Sequence, residues 1–135
     1  MARILLVEDE ALIGLAAKMA LEEAGHCVLG PFVRVADALA AAEAEAVDLA
    51  LVDISLAGRR NGLDAVHALE RMGVRSILAT SRHGLARTQG APALGFLGKP
   101  YSGQSLTEAV AAAVALARGE TPRSIPRDLV LFGPG

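Results

Sequence analysis

Asp53 closes the apolar run Leu49-Ala50-Leu51-Val52, and Glu8 and Asp9 follow a similar run, Ile4-Leu5-Leu6-Val7. If both runs are parallel strands, their ends emerge on one edge of a sheet, where open α/β folds place their ligand sites. Three bare carboxylates in one crevice repel and raise one another's pKa, so the arrangement makes sense with a hard cation among them. Two more residues take equivalent places: Thr80 ends Ser76-Ile77-Leu78-Ala79, and Lys99 follows Gly95-Phe96-Leu97-Gly98. An oxygen-rich pocket of two or three carboxylates suits Mg²⁺, which keeps several waters and is commonly completed by phosphate oxygens. A Lys ammonium and a Thr hydroxyl can hold the remaining oxygens of a phosphoryl group. The set is suited to phosphate carried on a carboxylate.

The elements that must position these residues follow from hydrophobic period. From Arg3 to about Arg118, short apolar runs alternate with longer helical segments, which predicts a parallel sheet covered by helices on both faces. Strands are predicted near Ile4 to Val7, Cys27 to Phe32, Leu49 to Val52, Ser76 to Thr80 and Gly95 to Gly98. Helices are predicted near Ala11 to Ala24, Ala36 to Ala46, Gly62 to Met72, Leu85 to Gln89 and Gly103 to Arg118. Gly25 suits a left-handed helix cap, and Ser102 suits an N-cap. Gly30-Pro31 marks the second strand as bent or near an edge, because Pro cannot donate to a central ladder. Gly84, Gly90 and Pro92 leave the fourth helix short or irregular.

At 135 residues the chain suits one domain. A formal net charge of −2 gives nucleic-acid binding no support, and 3% aromatic residues without Trp argue against base-stacking platforms. The lone Cys27 permits no intrachain disulfide and no CxxC pair, which points to a reducing compartment. With neither a signal-peptide pattern nor a membrane-spanning apolar stretch, a cytoplasmic location is expected. Residues 1–118 are expected to form the domain, and 119–135 a Pro- and Gly-containing tail or linker stub. Within that tail the patch Leu129 to Phe132 either frays or packs on the domain or on a second subunit.

Taken together in order and spacing, four pieces resemble the receiver domain of bacterial two-component response regulators. They are Ile4-Leu5-Leu6-Val7-Glu8-Asp9-Glu10, Leu51-Val52-Asp53-Ile54-Ser55-Leu56, Ala79-Thr80-Ser81 and Phe96-Leu97-Gly98-Lys99-Pro100-Tyr101. The resemblance implies a flavodoxin-like fold, a five-stranded parallel sheet of order 2-1-3-4-5. It implies Asp53 as phospho-acceptor, with Mg²⁺ held by Glu8, Asp9, Asp53 and the backbone carbonyl of Ser55. Lys99 would contact the phosphoryl group, Thr80 would donate its hydroxyl to it, and Lys99-Pro100 would be a cis bond. Phe96 is either the aromatic residue that reports the state of the site or plain core. The implied donor is a histidine kinase or histidine phosphotransfer protein. An unknown downstream protein is the implied target, and a homodimer is possible through the face of the fourth helix, fifth strand and fifth helix.

Departures accompany the matches. Ala57 stands four residues after Asp53, where the family usually has Pro, and Gly58-Arg59-Arg60-Asn61-Gly62 makes a longer basic loop. Arg59 and Arg60 either decorate a solvated loop or dock a partner. The short segment between Thr80 and Lys99 looks like the single-domain regulators of alphaproteobacteria. His26, His67 and His83 lack metal-like spacing and are assigned solvated or structural roles. Two readings from other classes compete with the phosphorylation switch: an interaction module that works without phosphorylation, and a phosphatase using Asp53 as turnover nucleophile. Such phosphatases usually carry a second Asp two residues on, where this chain has Ser55.

Overall fold

A computed structural model describes residues 1–54, 62–90 and 92–132. The chain runs β1 (Arg3–Val7), α1 (Ala11–Glu23), β2 (Cys27–Phe32), α2 (Val35–Ala44), β3 (Leu49–Asp53) and α3 (Gly62–Arg71). It continues through β4 (Ser76–Thr80), α4 (His83–Gln89), β5 (Gly95–Gly98), α5 (Gly103–Ala117) and β6 (Leu129–Leu131). The five predicted strands lie in the predicted order, all parallel. The strand count needs correction: among the described residues the sheet has six strands, in the order β2-β1-β3-β4-β5-β6, with β6 antiparallel to β5.

The continuous apolar runs make sense because the central strands are covered on both faces. Along β1, Ile4 and Leu6 enter one core with α1 and α5, while Leu5 and Val7 enter the other with α2 and α3. β2 is only half-buried along most of its length, as its Gly-Pro pair suggests for an edge. β6 follows the same alternation. Leu129 and Leu131 join the core beneath α5, whereas Val130 and Phe132 join the opposite one. A three-residue strand leaves too little periodicity to outweigh the prolines that surround it.

Local signals held where chain and cap chemistry agree. Gly25 has φ +95°, the left-handed conformation expected after α1. Ser102 caps α5, its Oγ accepting from the Ser105 N–H at 3.0 Å. The fourth helix does form, over seven residues of which only Ala86 is buried. Register then aligns the strand ends: Val7 faces Val52, Asp53 faces Ala79 and Thr80 faces Gly98. Glu8, Asp53, Thr80 and Lys99 therefore gather at one edge. No helix among the described residues is long and apolar enough to cross a membrane.

Candidate functional site

One ammonium serves several carboxylates at this edge. Lys99 Nζ lies 2.8 Å from Glu8 Oε1, 3.1 Å from Asp53 Oδ2 and 3.6 Å from Glu10 Oε1. Glu8 and Asp53 are buried, and the Lys99 side chain is only 10% exposed. Glu8 Oε2 also accepts from the Glu10 N–H at 3.3 Å, so the turn after β1 fixes the carboxylate. Oxygens of Glu8, Glu10 and Asp53 all lie within 4.8 Å of one another.

The electrostatics reflect this crowding. Burial pushes the Glu8 carboxyl up to about 7, and its hydrogen bond and charge contact with Asp53 push the same way against the lowering effect of Lys99. Burial alone would lower the Lys99 ammonium, but its bonds to Glu8 and Asp53 reverse that and raise it. Tyr101 lies behind Lys99, and burial together with the negative charge of Glu8 raises its phenol to about 12.

Thr80 is fully buried, and its Oγ1 accepts from the Arg82 N–H at 2.8 Å. Because Arg82 is the N-cap of α4, the hydroxyl holds the start of that helix. Lys99-Pro100 is cis, as is Gly30-Pro31. Phe96 is 1% exposed, which puts it in the core beneath His83 at 5.3 Å and Phe132 at 6.1 Å between ring centroids. Asp9 is half-buried, and the carboxylate cluster found among the described residues has Glu10 rather than Asp9 with Glu8 and Asp53. Ser55, Ala57, Arg59 and Arg60 lie outside the described residues.

Sequence reasoning did not single out Glu10, Tyr101 or Gly62. The unbroken acidic run Glu8-Asp9-Glu10 was the available signal for the first. Gly62 opens α3 directly under Asp53, where a Cβ would collide with the Asp53 carbonyl oxygen. That closeness comes from α3 packing back on β3, which sequence spacing does not reveal. A cavity of about 280 Å³ opens beside Lys99, lined also by Glu10, Ile13, Ser81 and Tyr101.

Residues 4–111 match the response regulator receiver domain. The chain belongs to that family. Receiver domains are signalling modules of two-component systems that interact with histidine kinases or phosphotransfer proteins and with downstream targets. The transcriptional regulatory protein PdtaR of Mycobacterium tuberculosis is 31% identical over 117 residues, covering 84% of this chain and 57% of PdtaR. The chain thus spans little more than half the length of that curated relative. Among solved structures, the signal receiver domain of a modulated diguanylate cyclase from Desulfovibrio desulfuricans G20 superposes with a TM-score of 0.77 at 28% identity. It covers 87% of this chain and 97% of that one. A CheY-like receiver domain protein from Methanospirillum hungatei JF-1 gives a TM-score of 0.71 at 27% identity, with 88% and 98% covered.

The acidic group suits a cation of the kind receiver domains bind. Its donors are hard carboxylate oxygens. Glu8 gains from added positive charge, since burial and Asp53 both disfavour its ionised form.

Proposed function

We propose that this receiver accepts a phosphoryl group on Asp53 from a histidine kinase or histidine phosphotransfer protein, and that phosphorylation switches its binding to a downstream partner. The observation that carries this is the Lys99 ammonium 3.1 Å from Asp53 Oδ2, at a strand edge where Glu8 and Glu10 add further carboxylates. In the transfer, an Asp53 carboxylate oxygen bonds to phosphorus as the P–N bond of the donor phosphohistidine breaks. The electron pair returns to the imidazole nitrogen, which takes a proton from solvent. Lys99 neutralises charge on the transferred oxygens and Thr80 turns its hydroxyl to one of them. Glu8, Asp9 and Asp53, with the Ser55 carbonyl, would hold Mg²⁺, and Glu10 stands close enough to Glu8 and Asp53 to take part. When bound, Mg²⁺ supplies positive charge against the phosphoryl oxygens and the carboxylates.

The working unit is residues 1–118, with 119–135 appended to it as a tail whose described part, to Phe132, forms an arm. Turnover beyond self-phosphorylation and self-dephosphorylation is not expected, since no second Asp follows two residues after Asp53. Incubation with Mg²⁺ and acetyl phosphate, followed by intact mass, tests the reading. One phosphate mass is expected on the parent protein and none on Asp53→Asn. An adduct-free parent protein under rapid quenching would leave a phosphorylation-independent interaction module.

A further inference from the structure

The described part of the arm carries β6, which lies against β5 and Phe96 beside the site. Its ladder on β5 pairs Phe96 with Val130 and Leu97 with Leu129, and the Phe132 N–H donates to the Leu94 carbonyl at 2.9 Å. Leu129 is buried, and Asp128 Oδ2 accepts from the Ser105 hydroxyl of α5 at 2.7 Å. The Phe132 ring rests on Phe96 and also on Gly90, the C-cap of α4, where an added Cβ would meet Phe132 Cζ at 2.7 Å. A cavity of about 300 Å³ has Lys99 and Pro100 in its wall along with Asp128 and Val130, so arm and site border one space.

We propose that this C-terminal strand is a clamp on α4 and Phe96, and that its docking and phosphorylation of Asp53 oppose each other. The proposal rests on the phospho-acceptor role given above. α4 is held at both ends: the Thr80 hydroxyl binds the Arg82 N–H at its start, and Phe132 covers Gly90 at its end. Ala86 is its only buried residue, and two further anchors, His83 against Phe96 and Arg87 over the same ring, bear on the residue that the arm covers. When Thr80 turns to a phosphoryl oxygen, Oγ1 leaves the Arg82 N–H and the start of α4 is released. The docked arm resists the rearrangement that follows. By reciprocity, whatever resists phosphorylation is weakened by it to the same extent.

The test combines hydrogen exchange with intact mass on the full chain, treated with Mg²⁺ and acetyl phosphate. Phe132→Ala keeps the buried Leu129 and the β5 ladder, and Ser105→Ala removes a separate tether, so the result does not depend on one variant folding well. Backbone exchange over 129–132 should accelerate about tenfold in the phosphorylated parent, within the usual range of coupling, and Phe132→Ala should acquire phosphate faster than the parent. Ser105→Ala should move the same way by less. A phosphorylated parent with unchanged exchange over 129–132, and unchanged rates in both variants, would overturn the clamp while leaving Asp53 as acceptor. Absence of any adduct on the parent would overturn the acceptor role and the clamp with it.

Discussion

Lys99 lies nearer to Glu8 than to Asp53, at 2.8 Å against 3.1 Å. The lysine is therefore shared with the carboxylate expected to hold the metal. Removing the lysine leaves two buried carboxylates facing each other with no ammonium between them. Lys99→Met should destabilise the Mg²⁺-free protein by about 3 kcal/mol, the size found when one member of a buried ion pair is lost. Urea unfolding in chelator and in Mg²⁺ checks this. Much of the loss should return with Mg²⁺, and equal losses in both buffers would contradict the shared role.

Asp53→Asn should act in the opposite direction. It removes the ion pair with Lys99, but also the crowding of negative charge with Glu8 and Glu10 and the cost of burying a carboxylate. A gain of about 1 kcal/mol in Mg²⁺-free buffer is expected, the worth of roughly one pKa unit. Calorimetric titration should show weaker Mg²⁺ binding by the same variant. A less stable variant with unchanged Mg²⁺ affinity would refute the crowding described here.

The strand ends that build the site were legible in the sequence, because strands buried on both faces are nearly continuous apolar runs. Glu8, Asp53, Thr80 and Lys99 each follow or end such a run, so their meeting at one edge could be read from register alone. Glu10 was hidden by its neighbours, since it reaches the site only through the turn that binds its N–H to Glu8. β6 was hidden for another reason. Its pairing partner β5 lies more than thirty residues earlier, and three residues between prolines and glycines carry almost no period. The Phe96 alternatives depended on side-chain burial, and burial depends on Phe132 and His83 arriving from elsewhere in the chain.

Gly62 supports Asp53 from below, with Ile54 Cα 2.8 Å from where its Cβ would stand and the Asp53 carbonyl closer still. Both obstacles are backbone, so they yield only if α3 or the end of β3 moves. Gly62→Ala should cost about 1–3 kcal/mol, as overpacking does. It should also slow acquisition of phosphate from acetyl phosphate more than tenfold if Asp53 is displaced by an ångström. Unfolding midpoints and intact-mass time courses report the two effects separately.

His26 gives the fold a pH dependence away from the site. Its Nδ1 accepts from the Ala2 N–H at 3.1 Å, which requires the nitrogen to be unprotonated. Burial lowers its pKa first, and the N-terminal ammonium and Arg118, the C-cap of α5, act the same way against the raising effect of Asp48. The unfolded chain thus binds the proton more readily. Stability is fully present above the ordinary histidine pKa and declines as pH falls through the lowered folded value. His26→Asn, whose side-chain oxygen can accept the same bond, should flatten this slope in urea titrations between about pH 7 and 5. Glu8, raised to about 7, gives a slope of opposite sign over the same range, so the difference between parent and variant carries the test, and identical slopes would contradict the assignment.

The acceptor role of Asp53 is tested most directly by trapping the phosphorylated protein with borohydride, which reduces an acyl phosphate to an alcohol, and mapping the reduced residue by peptide mass spectrometry. The reduction is expected at position 53 alone, dependent on Mg²⁺ and absent from Asp53→Asn. Reduction at Glu8, Asp9 or Glu10, or at position 53 without prior phosphodonor, would contradict it.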